Sequence, residues 1–165
     1  MRDSAGRKTR VRVTREFLVP LIQHRIDELE KDIDIFVIWC AGRFPEFKSE
    51  AMVIRPSEIL KGLVKAVLKK GRLGVIYPMK EQLIWAKPEW SSDGIEVYAD
   101  SILSRTYGDE LERLSERLSK KDLDLILLNC AGFDYKMKQQ IMKKTGRPVI
   151  QTNALTLRVV KELTS

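Results

Sequence analysis

Apolar runs alternate with amphipathic stretches along almost the whole chain. The segment REFLVPLIQHRIDELEK predicts a first helix with Pro20 near its first turn. IDIFVIWC is a short, continuously apolar run typical of a strand buried on both faces, and AMVIRP predicts a second short strand. PSEILKGLVKAVLKK predicts the next helix, which begins at Pro56 and is ended by Gly71. The apolar face predicted for the first helix consists of Leu18, Ile22, Ile26 and Leu29.

The same alternation continues to the end of the chain. RLGVIYP, GIEVYADSI, LDLILLNC and RPVIQT predict strands, and helical patterns lie between them, the last opened by Asn153 as an N-cap. Alternating strands and helices argue for an α/β fold in which parallel sheets are flanked by helices. A break near Gly71 predicts two lobes, residues 1–71 and 72–152, and the last helix, 153–165, could pack back onto the first lobe.

One phrase occurs twice in the sequence. KDIDIFVIWCAG ends at Gly42 and KDLDLILLNCAG ends at Gly132, and the copies share Lys, Asp, Asp, Cys, Ala and Gly position for position. The chain contains two cysteines, Cys40 and Cys130, and each copy carries one. A buried strand explains the apolar middle of the phrase but not these flanking identities. The sequence therefore predicts one Cys-Ala-Gly motif at an equivalent point of each lobe.

The position of the motif suggests a chemistry. Ligands of open parallel sheets bind outside the carboxyl ends of the strands, where both cysteines are predicted to lie. The small residues after each cysteine let the backbone approach a ligand. A helix N-terminus beside them would favour an anion and lower a thiol pKa below its ordinary value of about 8.5. Two thiols on opposite sides of one cleft suit removal of a proton from one face of a carbon and its delivery to the other.

Other interpretations of the cysteines are open at this stage. Cysteine is a small hydrophobe common at buried strand ends, so both thiols could serve packing alone. Two cysteines and one histidine offer no zinc-ligand spacing, and no metal site is expected. His24 lies off the apolar face of its helix and is expected to be solvated.

Composition narrows the classes of function. At 165 residues, with 44% hydrophobic and 32% charged residues, the chain is long enough for a packed core. No apolar run approaches the roughly 18 residues of a membrane span, and MRDSAGRKTR lacks a secretory signal, so we expect a cytoplasmic protein with reduced thiols and no structural disulfide. The net charge of +7 is spread along the chain without a nucleic-acid-binding motif. Nucleic acid is therefore not expected as a partner, whereas a small anionic ligand is.

Several stretches resemble the AroM family. They are WCAGRFPEF, VIRPSEIL, LGVIYPMKEQ, LILLNCAGFDY and PVIQTNAL, and together they extend the resemblance over roughly residues 10–165. AroM proteins, whose own reaction is not established, are similar in turn to the aspartate/glutamate racemase superfamily. The resemblance implies a racemase-like fold of two pseudo-symmetric α/β lobes, each with a cysteine at the end of a parallel strand.

The resemblance also implies roles for particular residues. Cys40 and Cys130 would be the acid/base pair of a cofactor-independent racemase or isomerase acting on a small carboxylic acid. Backbone groups of the residues after each cysteine would bind a carboxylate or enolate oxygen, and residues after other strands would line the same cleft. An alternative is a non-catalytic protein that binds a small anion or has a regulatory role. The ligand-binding candidates are Ala41, Gly42, Pro78, Met79, Gln82, Ala131, Gly132, Thr152 and Asn153.

The chain departs from the family pattern at three places. Ala41 replaces the threonine usual after the first cysteine, and Asn129 replaces the aspartate usual before the second. The family opens with a strand and a cleft-facing loop that MRDSAGRKTRVRV does not resemble. We therefore expect the first lobe to lack its first βα unit, so that the cleft is either half open or completed by another subunit in a homodimer or larger homo-oligomer.

Overall fold

The computed structural model describes residues 13–165, and their contacts form two compact units. The smaller unit contains residues 13–37 and 43–54. The larger unit contains Ile38–Gly42 and Arg55–Ser165. Cys40 therefore belongs to the same compact unit as Cys130, although the strand that precedes it belongs to the smaller unit.

The smaller unit holds one helix and two short strands. Helix α1 spans Arg15–Leu29 and is N-capped by Thr14, whose hydroxyl accepts a hydrogen bond from the Phe17 N–H. Pro20 lies in the second turn, slightly beyond its predicted place. Strands β1 (Ile35–Val37) and β2 (Met52–Ile54) pair in parallel. On the predicted apolar face, Ile26 is buried, Leu18 and Ile22 are half-buried, and Leu29 is exposed.

The larger unit is built on a four-stranded sheet. Its strands are β3 (Gly71–Tyr77), β4 (Ile95–Ser101), β5 (Leu125–Leu128) and β6 (Val149–Gln151). Their order is β4-β3-β5-β6, and every neighbouring pair is parallel. All four strands therefore end at the same edge of the sheet.

Helices cover both faces of this sheet. On one face, α2 (Pro56–Val67) packs against α6 (Thr152–Thr164), and on the other, α4 (Asp109–Ser119) packs against α5 (Tyr135–Thr145). A 3-10 helix over Lys80–Trp85 runs into the short helix α3, Ala86–Trp90. The predicted α/β fold with parallel sheets flanked by helices is confirmed.

Alternation along the strands sends neighbouring side chains into different cores. Val75, Tyr77 and Leu127 point into the core beneath α2, whereas Ile76 and Leu128 point into the core beneath α4 and α5. The strands are apolar throughout because both faces are covered, as their continuous apolar patterns predicted. No helix within residues 13–165 combines the length and the hydropathy that a membrane span requires.

Two predicted caps differ from the structure. Gly71 does not end α2, whose C-cap is Leu68; instead it opens β3 with a φ of 131°. A Cβ atom there would lie 2.3 Å from Oδ2 of Asp124, so glycine is required by a close approach and not by a helix end. Asn153 is the second residue of α6, and the N-cap is Gln151.

The predicted lobes do not coincide with the compact units. The units divide around residues 37–43 and at residue 54, not at residue 71, and α2 packs against α6 within the larger unit. The assignment of residues 1–71 and 72–152 to two lobes stays a prediction. The predicted lack of a first βα unit concerns the start of the chain, and residues 1–12 lie outside the described residues.

Replacing glycine by alanine at two positions should change the free energy of unfolding in opposite directions. Gly74 lies in buried β3, and a Cβ there would approach Cδ1 of the buried Leu123 to 2.6 Å, so Gly74→Ala should lower the free energy of unfolding by about 1–3 kcal/mol. Gly62 lies in α2 with no atom within 4 Å of its Cβ position, so Gly62→Ala should raise it by about 0.5–1 kcal/mol. Urea unfolding measures both, and equal effects would contradict this packing.

Candidate functional site

The carboxyl edge of the four-stranded sheet collects most of the predicted site residues. β3 leads into Pro78, β5 into Cys130 and β6 into Thr152. The N–H of Asn129 donates to the Ile76 carbonyl at 2.9 Å, which continues the β3–β5 pairing one residue beyond β5. Segments far apart in the sequence thus reach one edge because parallel strands end together.

The two Cys-Ala-Gly motifs have the same local geometry. In each, the cysteine N–H donates to the carbonyl two residues earlier, at 2.6 Å for Cys40 and 3.0 Å for Cys130. In each, the glycine N–H donates to the cysteine Sγ at 3.3 Å, from Gly42 and from Gly132. These two N–H groups, which we expected to be presented to a ligand, are directed at the sulfur atoms. The internal repeat is therefore a repeat of backbone conformation as well as of sequence.

The two thiols interact electrostatically. Neither cysteine forms a disulfide; Cys40 is exposed and Cys130 is half-buried. Although Cys40 is exposed by area, the surrounding atoms desolvate its thiol, and this raises its pKa above the ordinary value. The Gly42 N–H opposes that effect, and negative charge on Cys130 raises the Cys40 pKa further.

The expected lowering of the thiol pKa by a helix N-terminus is wrong for Cys40. No helix occurs in residues 41–51, so no helix dipole opposes the desolvation of this thiol. A helix does follow Cys130, since α5 begins at Tyr135. Asp134 caps that helix by accepting a hydrogen bond from the Met137 N–H at 3.0 Å. The duplicated motif is thus followed by different structures in its two copies.

Ser104 is a site residue that sequence reasoning missed. It lies in the loop after β4, and its Oγ is 3.9 Å from Sγ of Cys130, with either atom able to donate. A Cβ on Gly132 would lie 2.8 Å from this hydroxyl oxygen. The rule that drew attention to Cys130, proximity to the carboxyl end of a parallel strand, also applies to Ser104.

Several predicted ligand-binding residues already make structural contacts. Ala41 is buried in the core beneath α2, where a threonine would have to bury its hydroxyl. The Thr152 hydroxyl donates to the Leu128 carbonyl at 2.7 Å. Oδ1 of Asn153 accepts a hydrogen bond from the Ala154 N–H at 2.9 Å. The Thr152 hydrogen bond joins the first residue of α6 to the last residue of β5.

The remaining predicted ligand-binding residues are half-buried. Ala131 follows Cys130, while Pro78, Met79 and Gln82 follow β3. Within the described part of the chain, Oε1 of Gln82 is a buried acceptor without a hydrogen-bond partner. An unpaired buried acceptor is costly, so a polar group that reached it would be stabilised.

A buried polar network lies beside this edge. Trp90 donates its indole N–H to the Tyr77 oxygen at 3.1 Å, and the Tyr77 hydroxyl donates to Oε2 of Glu89 at 3.3 Å. Burial above all, and then the charge of Glu89, raise the pKa of Tyr77 to about 12, while hydrogen bonds from Trp90 and Asn129 oppose this. Tyr77 therefore remains protonated and joins the ends of β3 and β5 to α3.

Asp134, Glu46 and His24 are the other acidic and imidazole side chains near the motifs in sequence or able to bind a metal. Asp134 caps α5 and also accepts a hydrogen bond from the Tyr107 hydroxyl. Glu46 is exposed in the smaller unit, and His24 is exposed on α1, 3.3 Å from Glu28. Within residues 13–165, His, Cys, Asp and Glu side chains form no group of three or more that could hold a metal ion.

A polar cleft of about 490 Å³ opens where β4 ends. Lys80, Arg113 and Arg117 supply positive charge to it and Asp100 and Glu110 supply negative charge, and Arg117 donates two hydrogen bonds to Asp100.

Comparison with known proteins gives a family match and a fold match. A family model described as AroM protein matches residues 5–164. No curated protein matches the sequence significantly. The fold resembles that of several solved enzymes at low sequence identity, which supports the predicted racemase-like architecture.

Three solved structures illustrate the fold match. A liganded mutant of arylmalonate decarboxylase has a TM-score of 0.68 at 12% identity, covering 92% of this chain and 75% of that protein. Maleate isomerase from Pseudomonas putida S16 has a TM-score of 0.67 at 16% identity, with coverage of 92% and 75%. Glutamate racemase from Francisella tularensis subsp. tularensis SCHU S4, in complex with D-glutamate, has a TM-score of 0.63 at 17% identity, with coverage of 93% and 67%. The racemase-like fold is confirmed.

Alkylation should report the coupling of the two thiols. Because desolvation and the charge of Cys130 both raise the Cys40 pKa, Cys40 should be alkylated in the folded protein with a midpoint above the value of about 8.5 for an unperturbed thiol. Cys130→Ser removes the neighbouring charge and should lower that midpoint. Mass spectrometry after iodoacetamide treatment at graded pH measures each cysteine, with the unfolded chain as control. An unchanged Cys40 midpoint in the variant would show that the thiols are not coupled.

Ionisation of Tyr77 should account for part of the stability that the protein loses at alkaline pH. The unfolded-state pKa is about 10 and the folded-state pKa about 12, so the unfolded chain loses the phenol proton first and stability falls as pH rises across this window. Tyr77→Phe should be less stable at neutral pH, by about 1 kcal/mol for the lost hydrogen bonds, but should lose less stability across the window. Urea unfolding at several pH values measures this. Tyr135→Phe, at an exposed position, is the control, and parallel losses in wild type and Tyr77→Phe would refute the assignment.

Proposed function

This chain belongs to the AroM family, and on that premise we propose that it catalyses cofactor-independent proton transfer of the racemase or isomerase type. The substrate class is a small carboxylic acid, and the reacting groups are the thiols of Cys40 and Cys130. The solved proteins of similar fold include a racemase, an isomerase and a decarboxylase, which supports this class of reaction.

One observation carries the proposal. Two motifs 90 residues apart hold their cysteines in the same backbone geometry, with a glycine N–H directed at each sulfur at 3.3 Å, and negative charge on Cys130 contributes to the raised pKa of Cys40. Packing alone requires neither the shared geometry nor the electrostatic coupling. Moving a proton from one face of a carbon to the other requires two proton carriers, and two equivalent, coupled thiols meet this requirement.

The coupling suits a pair that holds one proton. Because a charge on Cys130 raises the pKa of Cys40, removing both protons is disfavoured, and in the proposed reaction the pair acts as one thiolate and one thiol. The thiolate takes the proton from the α-carbon, and the bonding electrons delocalise into the carboxylate as an enolate. The thiol then delivers its proton to the opposite face. After one turnover the proton has moved from one cysteine to the other, and no external oxidant or reductant is required.

The remaining predicted residues would bind the substrate. Gly42 and Gly132 direct their N–H groups at sulfur, so these N–H groups are not assigned to the substrate. We assign binding of the carboxylate or enolate oxygens to the backbone N–H groups of Ala41 and Ala131. The buried acceptor of Gln82 would receive a donor from the ligand. Pro78, Met79, Thr152 and Asn153 would form the apolar and backbone walls beside it.

A second candidate function is binding of a small anion without turnover. The desolvated Cys40, whose pKa is raised and not lowered, favours it, because an activated catalytic thiol usually has a lowered pKa. The site would then retain the ligand preference of the fold without its proton chemistry.

Exchange of the α-proton in deuterated water distinguishes these functions. The protein is incubated with a panel of small mono- and dicarboxylic acids, and NMR follows loss of the α-proton signal while optical rotation follows inversion. We expect exchange with at least one acid, and Cys40→Ser and Cys130→Ser should each reduce it by at least about 100-fold, as expected for loss of an acid/base group. Ser115→Ala, which removes a hydroxyl bonded within α4, is the control.

The negative outcomes are distinct. Binding detected by calorimetry, without exchange for any acid that binds, would establish the second function and reject the first. Exchange that survives both cysteine substitutions would reject the thiols as the acid/base pair.

A further inference from the structure

A groove in the smaller unit lies between α1 and the loop that follows the first Cys-Ala-Gly motif. Its volume is about 580 Å³, and it is lined by residues of the first two turns of α1 and by residues 43–45 of the loop. Small-molecule sites usually have volumes of about 300–1,000 Å³. The residues of this groove take no part in the proposed reaction, so the groove is a separate candidate for binding.

Hydrogen bonds tie the two walls of the groove together at two points. Nη1 of Arg15 donates to the carbonyl of Arg43 at 2.8 Å. Further along α1, the side-chain amide of Gln23 donates to the carbonyl of Lys48 at 2.6 Å and accepts from the N–H of Lys48 at 2.9 Å. The walls are therefore fixed relative to each other without a ligand, and a preformed site loses less conformational entropy when a ligand binds.

The apolar part of the lining comes from both walls. Val19 and Pro20 lie on α1, while Phe44 and Pro45 lie on the loop. The ring of Phe44 is held by packing, since its centroid is 6.1 Å from that of the buried Phe47. An aromatic or aliphatic group placed against these side chains would be removed from water, which favours its binding.

The charged part of the lining consists of two positive groups and one negative group. Arg15 and Arg43 supply the positive charges, and Glu16 supplies the negative charge. A guanidinium has five N–H donors, and the bond to the Arg43 carbonyl uses one of those of Arg15, so donors remain at Arg15 for a carboxylate. A second carboxylate would lie beside Glu16 or against the apolar side chains, where it would be repelled or desolvated.

We propose that this groove binds a small monocarboxylic acid with an aromatic or other apolar body. The carboxylate binds the guanidinium groups of Arg15 and Arg43, and the apolar body packs against Phe44 and the two prolines. The proposal concerns binding alone, includes no covalent step and does not depend on the proposed function.

Benzoate is the probe, and NMR of the isotope-labelled full chain is the measurement. Benzoate combines one carboxylate with one ring and has no hydrogen on its α-carbon, so the proposed proton transfer cannot act on it. Amide signals from both walls of the groove should shift and saturate. Three matched probes each change one feature: benzamide lacks the charge, acetate lacks the ring, and isophthalate adds a second carboxylate. Each should bind at least about tenfold more weakly than benzoate.

Charge variants should change the Kd for benzoate in opposite directions. Arg15→Gln removes a positive charge but keeps a side-chain N–H for the Arg43 carbonyl, and it should raise the Kd by about tenfold. Arg15→Lys should restore much of the affinity. Glu16→Gln should lower the Kd and should weaken the discrimination against isophthalate. Arg25→Gln, at a charge paired with Glu28 on the same helix outside the groove, is the control and should change nothing.

Several results would overturn the proposal. Absence of a saturable shift in the two walls would reject the site, and equal affinity for benzamide and benzoate would reject the role of the guanidinium groups. Equal weakening by Arg15→Gln and Arg25→Gln would show a general charge effect without contact. Wall signals that shift with protein concentration in the absence of a probe would identify the groove as an interface between two copies.

Cysteine variants separate this groove from the cysteine site. Cys40→Ser and Cys130→Ser should each leave the Kd for benzoate unchanged, whatever the outcome of the α-proton exchange experiment. A raised Kd in either variant would place benzoate at the thiols and would contradict binding in the groove.

Discussion

The parallel pairing of β3 with β5 is the constraint on which the candidate site depends. These central strands run in register from Leu73 opposite Leu125 to Ile76 opposite Leu128, and the Asn129 N–H extends the pairing by one hydrogen bond. The chain must leave the sheet directly afterwards, so Cys130 is placed at the carboxyl edge. If this register slipped by one residue, Asn129 and Cys130 would exchange the cores that they face.

That alternation separates two chemical environments. Asn129 points toward the core that contains Tyr77 and Trp90, where polar groups bind one another and Tyr77 stays protonated. Cys130 packs against the opposite core, next to the loop that carries Ser104. The hydrogen bonds on the Tyr77 side hold the strand ends together, and the thiol on the other side remains available for chemistry.

Fold prediction from sequence succeeded where the pattern is local. Buried strands such as Leu125–Leu128 and the α4 face of Leu111, Leu114 and Leu118 follow directly from hydrophobic periodicity. Gly71 was misassigned because a glycine after a helical stretch has two common causes, a helix cap and a close approach. The structure shows that α2 ends at Leu68, that Gly71 has a φ of 131°, and that Asp124, more than 50 residues later, approaches it closely.

The sequence by itself determined the duplicated Cys-Ala-Gly motif, the strands that carry it and the edge at which it lies, because these depend on local pattern and on the rule that parallel strands end together. The tertiary structure decided that residues 38–42 join the larger unit, that desolvation raises the Cys40 pKa, and that Ser104 reaches Cys130. Desolvation and through-space hydrogen bonds depend on which distant segments come to surround an atom. The proton affinity of Cys40 therefore depends on the folded chain and not on its motif alone.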